Sequence, residues 1–235
     1  MHPLFLSWID KISVSKTESE ILSVLTQAAS VLGFEYVAYG IRRPFPITKP
    51  QIVMLSTYPE EWQARYVAAK YVEVDPTVKV ALGRNEPVTW SGDSGSHESD
   101  FWEEASSFGI IHGWSSASRG ADGTIGLLTL SRSAGVIGAT EKASHQAAIV
   151  WLAQAAHVAM GPLMPANGLA EVPLTLREVD VLKWTADGKT AYEISRILNI
   201  SESTVNFHVK NIVSKMGSSN KIQAVAKAAL IGLLR

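Results

Sequence analysis

Thr190-Ala191-Tyr192-Glu193-Ile194-Ser195-Arg196-Ile197-Leu198-Asn199-Ile200-Ser201-Glu202-Ser203-Thr204-Val205-Asn206-Phe207-His208-Val209-Lys210-Asn211-Ile212-Val213-Ser214-Lys215-Met216-Gly217 reads as two helices on a very short turn. Thr190 and Glu193 have capping-box spacing, in which the hydroxyl accepts from the N3 amide and the carboxylate reaches back. Ser201 is the N-cap of the second helix, and Gly217 is its stop. Only Asn199-Ile200-Ser201 joins the two helices. That connection predicts a helix-turn-helix.

The second helix of this pair can be laid out at ~100° per residue. Val205, Val209, Ile212 and Met216 then form one stripe, expected to pack on Ile194, Ile197 and Leu198. Ser203, Phe207, Lys210 and Ser214 centre the opposite stripe, flanked by Asn206 and Asn211. The outer stripe offers amides for base edges, a lysine for guanine or phosphate, and a ring for a thymine methyl. A polar outer stripe alone fits an ordinary surface helix equally well. The short turn, the capping boxes and the local charge favour DNA.

Working outward, Thr175-Leu176-Arg177-Glu178 is another capping box, and a further helix is expected from Lys221 to Leu233. This end is a four-helix unit. From Thr175 onward nine Lys/Arg face five Asp/Glu, whereas twelve face seventeen before it, so the whole-chain charge of −1 hides a basic module behind an acidic one. Lys189, just ahead of Thr190, should meet phosphate only.

The preceding residues mix strands and helices. A helix over 17–32 ends at Gly33, and strands are expected at 34–41, 52–56, 86–90, 114–118 and 124–131. Further helices are expected near Pro59, after Asp75-Pro76, over 101–108 and over 140–160, with a Ser/Gly/Asp loop at 91–100. Gly161-Pro162 and Pro165-Ala166-Asn167-Gly168 break the pattern as a linker. The expected division is 1–163, a linker 164–173, and 174–235.

Several function classes are excluded by composition. With no cysteine there is no disulfide scaffold, thiolate zinc site or cysteine nucleophile. The six histidines are scattered without ligand spacing, so no metal or cofactor is expected. Asp93-Ser94-Gly95 lacks the strand-turn-helix frame of a nucleophile elbow, and Glu103-Glu104 diverge on a helix. No catalytic constellation emerges, and an enzyme is not expected. The start, Met1 to Asp10, has no basic n-region of a signal peptide. The longest apolar run, Ala147–Ala153, is far short of the ~20 residues a spanning helix needs. A soluble cytoplasmic chain without membrane contact is expected.

In the first domain, Tyr58, Trp62 and Tyr66 lie four apart and can share one helix face. Asp75 before Pro76 fits an N-cap, a buried acceptor, or both at once with one oxygen each. The aromatic residues singly fit a plain core as well as a ligand site.

Two resemblances are carried by these residues. Leu174-Thr175-x-Arg177-Glu178, Gly188-Lys189-Thr190, Glu193-Ile194-Ser195 and Ser201-x-x-Thr204-Val205-x-x-His208-Val209-x-x-Ile212-x-x-Lys215 resemble the DNA-binding domain of LuxR-type regulators. A phosphoacceptor receiver is excluded upstream, because residues 1–60 hold one Asp and no early acidic pair. Instead, Tyr58-Pro59-x-x-Trp62-x-x-x-Tyr66, Asp75-Pro76-Thr77-Val78, Trp90, Phe101-Trp102-Glu103-Glu104-Ala105 and Gly113 resemble the autoinducer-binding domain of quorum-sensing LuxR-type proteins.

The resemblance implies an α+β chain: an α/β/α sandwich with a mostly antiparallel sheet, then a four-helix helix-turn-helix domain. It implies an N-acyl-homoserine lactone as effector, double-stranded DNA as target, a homodimer, and RNA polymerase as a further partner. Trp62 would bond the lactone carbonyl, Tyr58 the amide carbonyl and Asp75 the amide N–H, with Thr129 reaching the amide region. Trp90, Phe101, Ala105 and Ile110 would wall the lactone and Tyr66 the acyl chain, with Thr77 and Ser115 also in the site. On the DNA side stand Lys189, Thr190, Ser203, Thr204, Asn206, Phe207, Lys210 and Asn211. Gly113 would mark a close approach within the sheet. The competing expectations are a regulator of this fold whose first domain only dimerises or senses another molecule, and an enzyme acting on lactones.

Overall fold

The computed structural model describes residues 5–84, 86–92, 99–164 and 173–234. Most of the expected linker and of the Ser/Gly/Asp loop, including Asp93-Ser94-Gly95, lies outside the described residues, as do Met1 to Leu4. The chain divides into two compact units, one carrying every strand and the other the C-terminal helices.

In the first unit, helix α1 (Phe5–Val14) buries Phe5, Trp8 and Ile12 on one face. Helix α2 (Glu18–Val31) starts at a capping box in which Glu20 N–H donates to Thr17 Oγ1 and Thr17 N–H donates back to Glu20. Strands β1 (Tyr36–Arg42) and β2 (Ile52–Ser56) follow, then α3 (Glu60–Ala68) and α4 (Pro76–Leu82). Strand β3 (Val88–Ser91), α5 (Ser99–Ser107), β4 (His112–Arg119), β5 (Ile125–Arg132) and α6 (Ala139–Met160) complete it.

The sheet runs β2-β1-β5-β4-β3 and every neighbouring pair is antiparallel. Alternation along each strand sends residues to opposite faces. Val37, Tyr39, Ile41, Trp114, Leu128 and Leu130 enter the main core with α1, α2 and α6. The opposite parity gives Tyr36, Ala38 and Gly40 on β1, Gly113, Ser115 and Ala117 on β4, and Thr129 and Ser131 on β5, in register across the sheet. These are mostly small residues, and Tyr36 among them packs against an aromatic cluster that includes residues of α3 and α5.

Arg132, at the end of β5, ties the helix layer together. Its guanidinium donates to the carbonyls of Gly33 (3.3 Å) and Gly135 (2.8 Å), pairs with Glu141 (2.8 and 2.9 Å), and lies 5.2 Å from the Phe34 ring.

The second unit contains α7 (Leu176–Ala186), α8 (Ala191–Leu198), α9 (Glu202–Lys215) and α10 (Lys221–Leu230). Its core is Val181, Leu182, Ile194, Val205, Ile212, Met216, Ala224 and Ala228. Both expected capping boxes form, at Thr175–Glu178 and Thr190–Glu193. Asn199 closes α8 in the left-handed region (φ 52°), which its short polar side chain tolerates. Lys215 bridges from α9 to the buried Glu178 on α7 at 2.7 Å. Among the described residues no helix is long and apolar enough to cross a membrane.

Candidate functional site

Helix α3 begins at Pro59, which fixes φ before the first turn, and it aims Trp62 inward. Trp62 is the hub of an aromatic cluster, with Tyr66, Tyr71, Phe101 and Phe108 all 5.6–5.9 Å away by ring centroid. Ala105 and Ile110 are buried in the same cluster, and Tyr58, Tyr66 and Trp90 pack against it. The predicted ring set is therefore brought together.

Asp75 is buried beside this cluster. Its Oδ1 accepts from the Thr77 amide (2.8 Å), the Thr77 hydroxyl (2.7 Å) and the Val78 amide (3.4 Å), which caps α4. Its Oδ2 accepts from the Tyr66 hydroxyl at 2.9 Å. The two roles open in the sequence are split between the two oxygens. Burial pushes the Asp75 carboxyl above its ordinary range, and the bonds from Thr77 and Tyr66 oppose that shift. Burial likewise raises the Tyr58 and Tyr66 hydroxyls, with Asp75 adding to both, so both stay protonated as donors.

The sheet supplies the remaining polar groups. The Trp90 indole N–H donates to Ser115 Oγ at 3.0 Å, and Ser115 Oγ lies 3.0 Å from Thr129 Oγ1. One strand position along, Ser131 donates to the Tyr58 hydroxyl at 3.4 Å. The expected close approach at Gly113 is present: a Cβ there would sit 2.1 Å from the Trp90 ring. Neither the Trp62 N–H nor the Tyr58 O–H has an acceptor among the described residues. Among the described residues, the site thus presents two N–H and O–H donors without acceptors near the buried Asp75 carboxylate.

On α9, Ser203, Asn206, Phe207 and Lys210 are exposed, Phe207 by 61%, while Thr204 and Asn211 are half-buried. Ser201 accepts from the Thr204 amide at 3.1 Å, which fixes the start of the helix. Lys189 is exposed ahead of α8, and the Thr190 hydroxyl is held by Glu193 at 2.8 Å. Ile197 departs from expectation, being 45% exposed. The buried arc of α8 is centred on Ile194, Ser195 and Leu198, and at ~100° per residue Ile197 falls beyond its edge.

Comparison with known proteins decides the family. An autoinducer-binding domain matches residues 17–160, and the luxR family of bacterial regulatory proteins matches residues 172–228. The chain belongs to the LuxR family. It is 40% identical to the transcriptional activator AnoR of Acinetobacter nosocomialis over 94% of each chain. Its fold matches crystalline SdiA of Escherichia coli with a TM-score of 0.81, at 29% identity over 98% of this chain and 99% of that one. It also matches CepR2 of Burkholderia cenocepacia, an N-acylhomoserine lactone-dependent factor, with a TM-score of 0.64 and 30% identity over 70% of this chain and all of that one.

This LuxR-family chain is a ligand-responsive transcriptional regulator, and its relatives are regulators rather than enzymes. Among its described residues no cluster of three or more His, Asp or Glu could hold a metal. Sequence reasoning passed over Ser131, Tyr36 and Trp102 in the site of this regulator. Ser131 shares strand parity with Thr129, and Tyr36 pairs with Ser131 in the register while its ring lies 5.7 Å from Tyr58. Trp102 lies 5.3 Å from Trp90. The period of two from Thr129 was the signal for Ser131.

Proposed function

We propose that this regulator binds an N-acyl-homoserine lactone in its first domain (1–163) and promoter DNA, as a homodimer, through its last (174–235), with 164–173 as the connection. Such a ligand is an apolar tail carrying an amide N–H, an amide carbonyl and a lactone carbonyl. The observation that supports the reading is the match of polarity around Asp75. Among the described residues, Trp62 N–H and Tyr58 O–H are donors without acceptors, and Asp75 Oδ2 accepts only from Tyr66. Trp62 would take the lactone carbonyl, Tyr58 the amide carbonyl and Asp75 the amide N–H, with Thr129 beside them. Tyr66, Thr77, Trp90, Phe101, Ala105, Ile110 and Ser115 would complete the wall.

On the DNA side, Ser203, Asn206, Phe207, Lys210 and Asn211 would face the major groove, with Lys189, Thr190 and Thr204 toward phosphate. One short helix covers about one half-site, which is the argument for a dimer on paired half-sites. The site of action is then the cytoplasm, with RNA polymerase as the further partner. The test is titration of the full-length protein with short-, medium- and long-chain lactones, read by melting temperature and by binding to promoter DNA. Response to none of them would favour a first domain that only dimerises or senses another molecule.

A further inference from the structure

Trp90, Ser115 and Thr129 form a chain whose direction follows from chemistry. The indole N–H can only donate, so Ser115 Oγ is an acceptor toward Trp90 at 3.0 Å. Ser115 is fully buried and has one other partner among the described residues, Thr129 Oγ1 at 3.0 Å. If Thr129 donated to Ser115, the Ser115 proton would be buried with no acceptor. Ser115 donating to Thr129 instead leaves the unpaired proton on Thr129, which keeps 8% exposure where Ser115 has none. The Thr129 proton then has no acceptor among the described residues. From the indole, each hydroxyl is turned in sequence until the last points its hydrogen away from the chain.

The pose of Trp90 is itself imposed. Trp90 faces Gly113 across the β3–β4 pair, and the ring lies where a Cβ of residue 113 would be. Trp102 packs on the ring at 5.3 Å and an interplanar angle of 39°. Bare backbone on one side and an indole on the other hold the N–H toward Ser115.

We infer that Trp90 is a positioning residue that acts through Ser115 to present Thr129 as a hydrogen-bond donor to a carbonyl oxygen of the ligand. This rests on the reading of the ligand as an acyl-homoserine lactone. It assigns Trp90 more than a wall: the indole sets the sign of a polar contact it does not make.

The test uses the full-length protein and the tightest-binding lactone of a chain-length series, labelled with carbon-13 at the amide carbonyl. Affinity and the infrared carbonyl band of the bound ligand are measured for wild type, Trp90→Phe, Ser115→Ala, Thr129→Val and Thr129→Ser. Trp90→Phe and Ser115→Ala should each weaken binding by about fivefold to tenfold and move the carbonyl band toward its unbonded position. Thr129→Val should do the same, while Thr129→Ser, which keeps the hydroxyl, should leave affinity and band near wild type. In the Thr129→Val background, Trp90→Phe should cost almost nothing. Equal costs of Trp90→Phe in both backgrounds, or an unmoved band, would overturn the inference while leaving the ligand intact. Ser115→Ala keeps the ring, so it decides the matter if Trp90→Phe does not fold. A wild-type protein that binds no lactone removes the ligand reading, and this inference with it.

Discussion

Tyr66 donates its hydroxyl to Oδ2 of Asp75 at 2.9 Å, while Oδ1 of the same carboxylate caps α4. A helix cap and the acceptor of the Tyr66 hydroxyl are thereby one residue. The second lone pair of Oδ2 is the proposed acceptor for the ligand N–H, and Tyr66 orients it.

Replacement of Asp75 separates those roles. Asp75→Asn retains a capping oxygen but turns an amide donor toward the ligand N–H, so lactone sensitivity should fall by about tenfold or more. Unliganded folding should change little. Intact ligand response in a promoter-binding titration would reduce Asp75 to a cap.

The pH dependence follows from the raised Asp75 carboxyl. A carboxyl held above its unfolded value contributes stability that is present below the unfolded pKa and lost as pH rises through the folded one. The unliganded protein should therefore lose this contribution on going from acid to neutral pH, and Asp75→Asn should not. Parallel denaturant titrations of both proteins across that interval would show the difference, and parallel pH profiles would contradict it.

Ligand binding should stabilise the first domain. A ligand that binds the folded domain and not the unfolded chain stabilises it by mass action. A lactone at about 100-fold over its Kd should add about 2.7 kcal/mol by linkage, read as a raised Tm. A flat Tm across the chain-length series would contradict this.

On DNA, Asn206 and Lys189 should differ in kind. Asn206→Ala should cost about 1–3 kcal/mol on the cognate operator and little on scrambled duplex. Lys189→Ala should weaken both alike and lower the salt slope by about one unit per subunit. Binding at several salt concentrations distinguishes them, and identical profiles would mean α9 does not read the groove as assigned.

The Glu178–Lys215 pair should stabilise the second unit. Burial alone would raise Glu178, but bonds from Lys215 and Thr175 outweigh it and hold the carboxyl low. Its contribution should be present at neutral pH and lost as pH falls through that lowered value. Lys215→Met should cost about 1–2 kcal/mol, discounted because the lysine is about one-third exposed. A cost unchanged at acid pH would contradict the pairing.

Legibility in the sequence followed how local each determinant was. Thr175–Glu178, Thr190–Glu193 and the Asn199-Ile200-Ser201 turn are complete within a few residues, so three helices could be read directly. Helix α1 was not foreseen, because Phe5, Trp8 and Ile12 mark a face only against the α6 side chains they meet. Strand β4 was expected from Trp114 and starts at His112, since Gly113 breaks the apolar pattern for the sake of the Trp90 ring. In the candidate site Trp62 and Tyr66 share a face of α3 as their spacing indicates, whereas Tyr58 precedes that helix and Tyr71 and Phe108 join from outside it. The Tyr66–Asp75 bond and the Trp90–Ser115–Thr129 chain were not readable, because they join elements whose alignment only the sheet register determines.

Arg132 has a dynamic consequence. Its one guanidinium holds the carbonyl after α2, the Phe34 ring ahead of β1, the turn after β5 and the first turn of α6. Helix ends ordinarily fray independently, each with its own small opening free energy. Here, freeing any one of these segments breaks contacts of the others. The amides of the last turn of α2 and the first turn of α6 should therefore exchange with solvent on one common timescale, as a single cooperative opening of the helix layer.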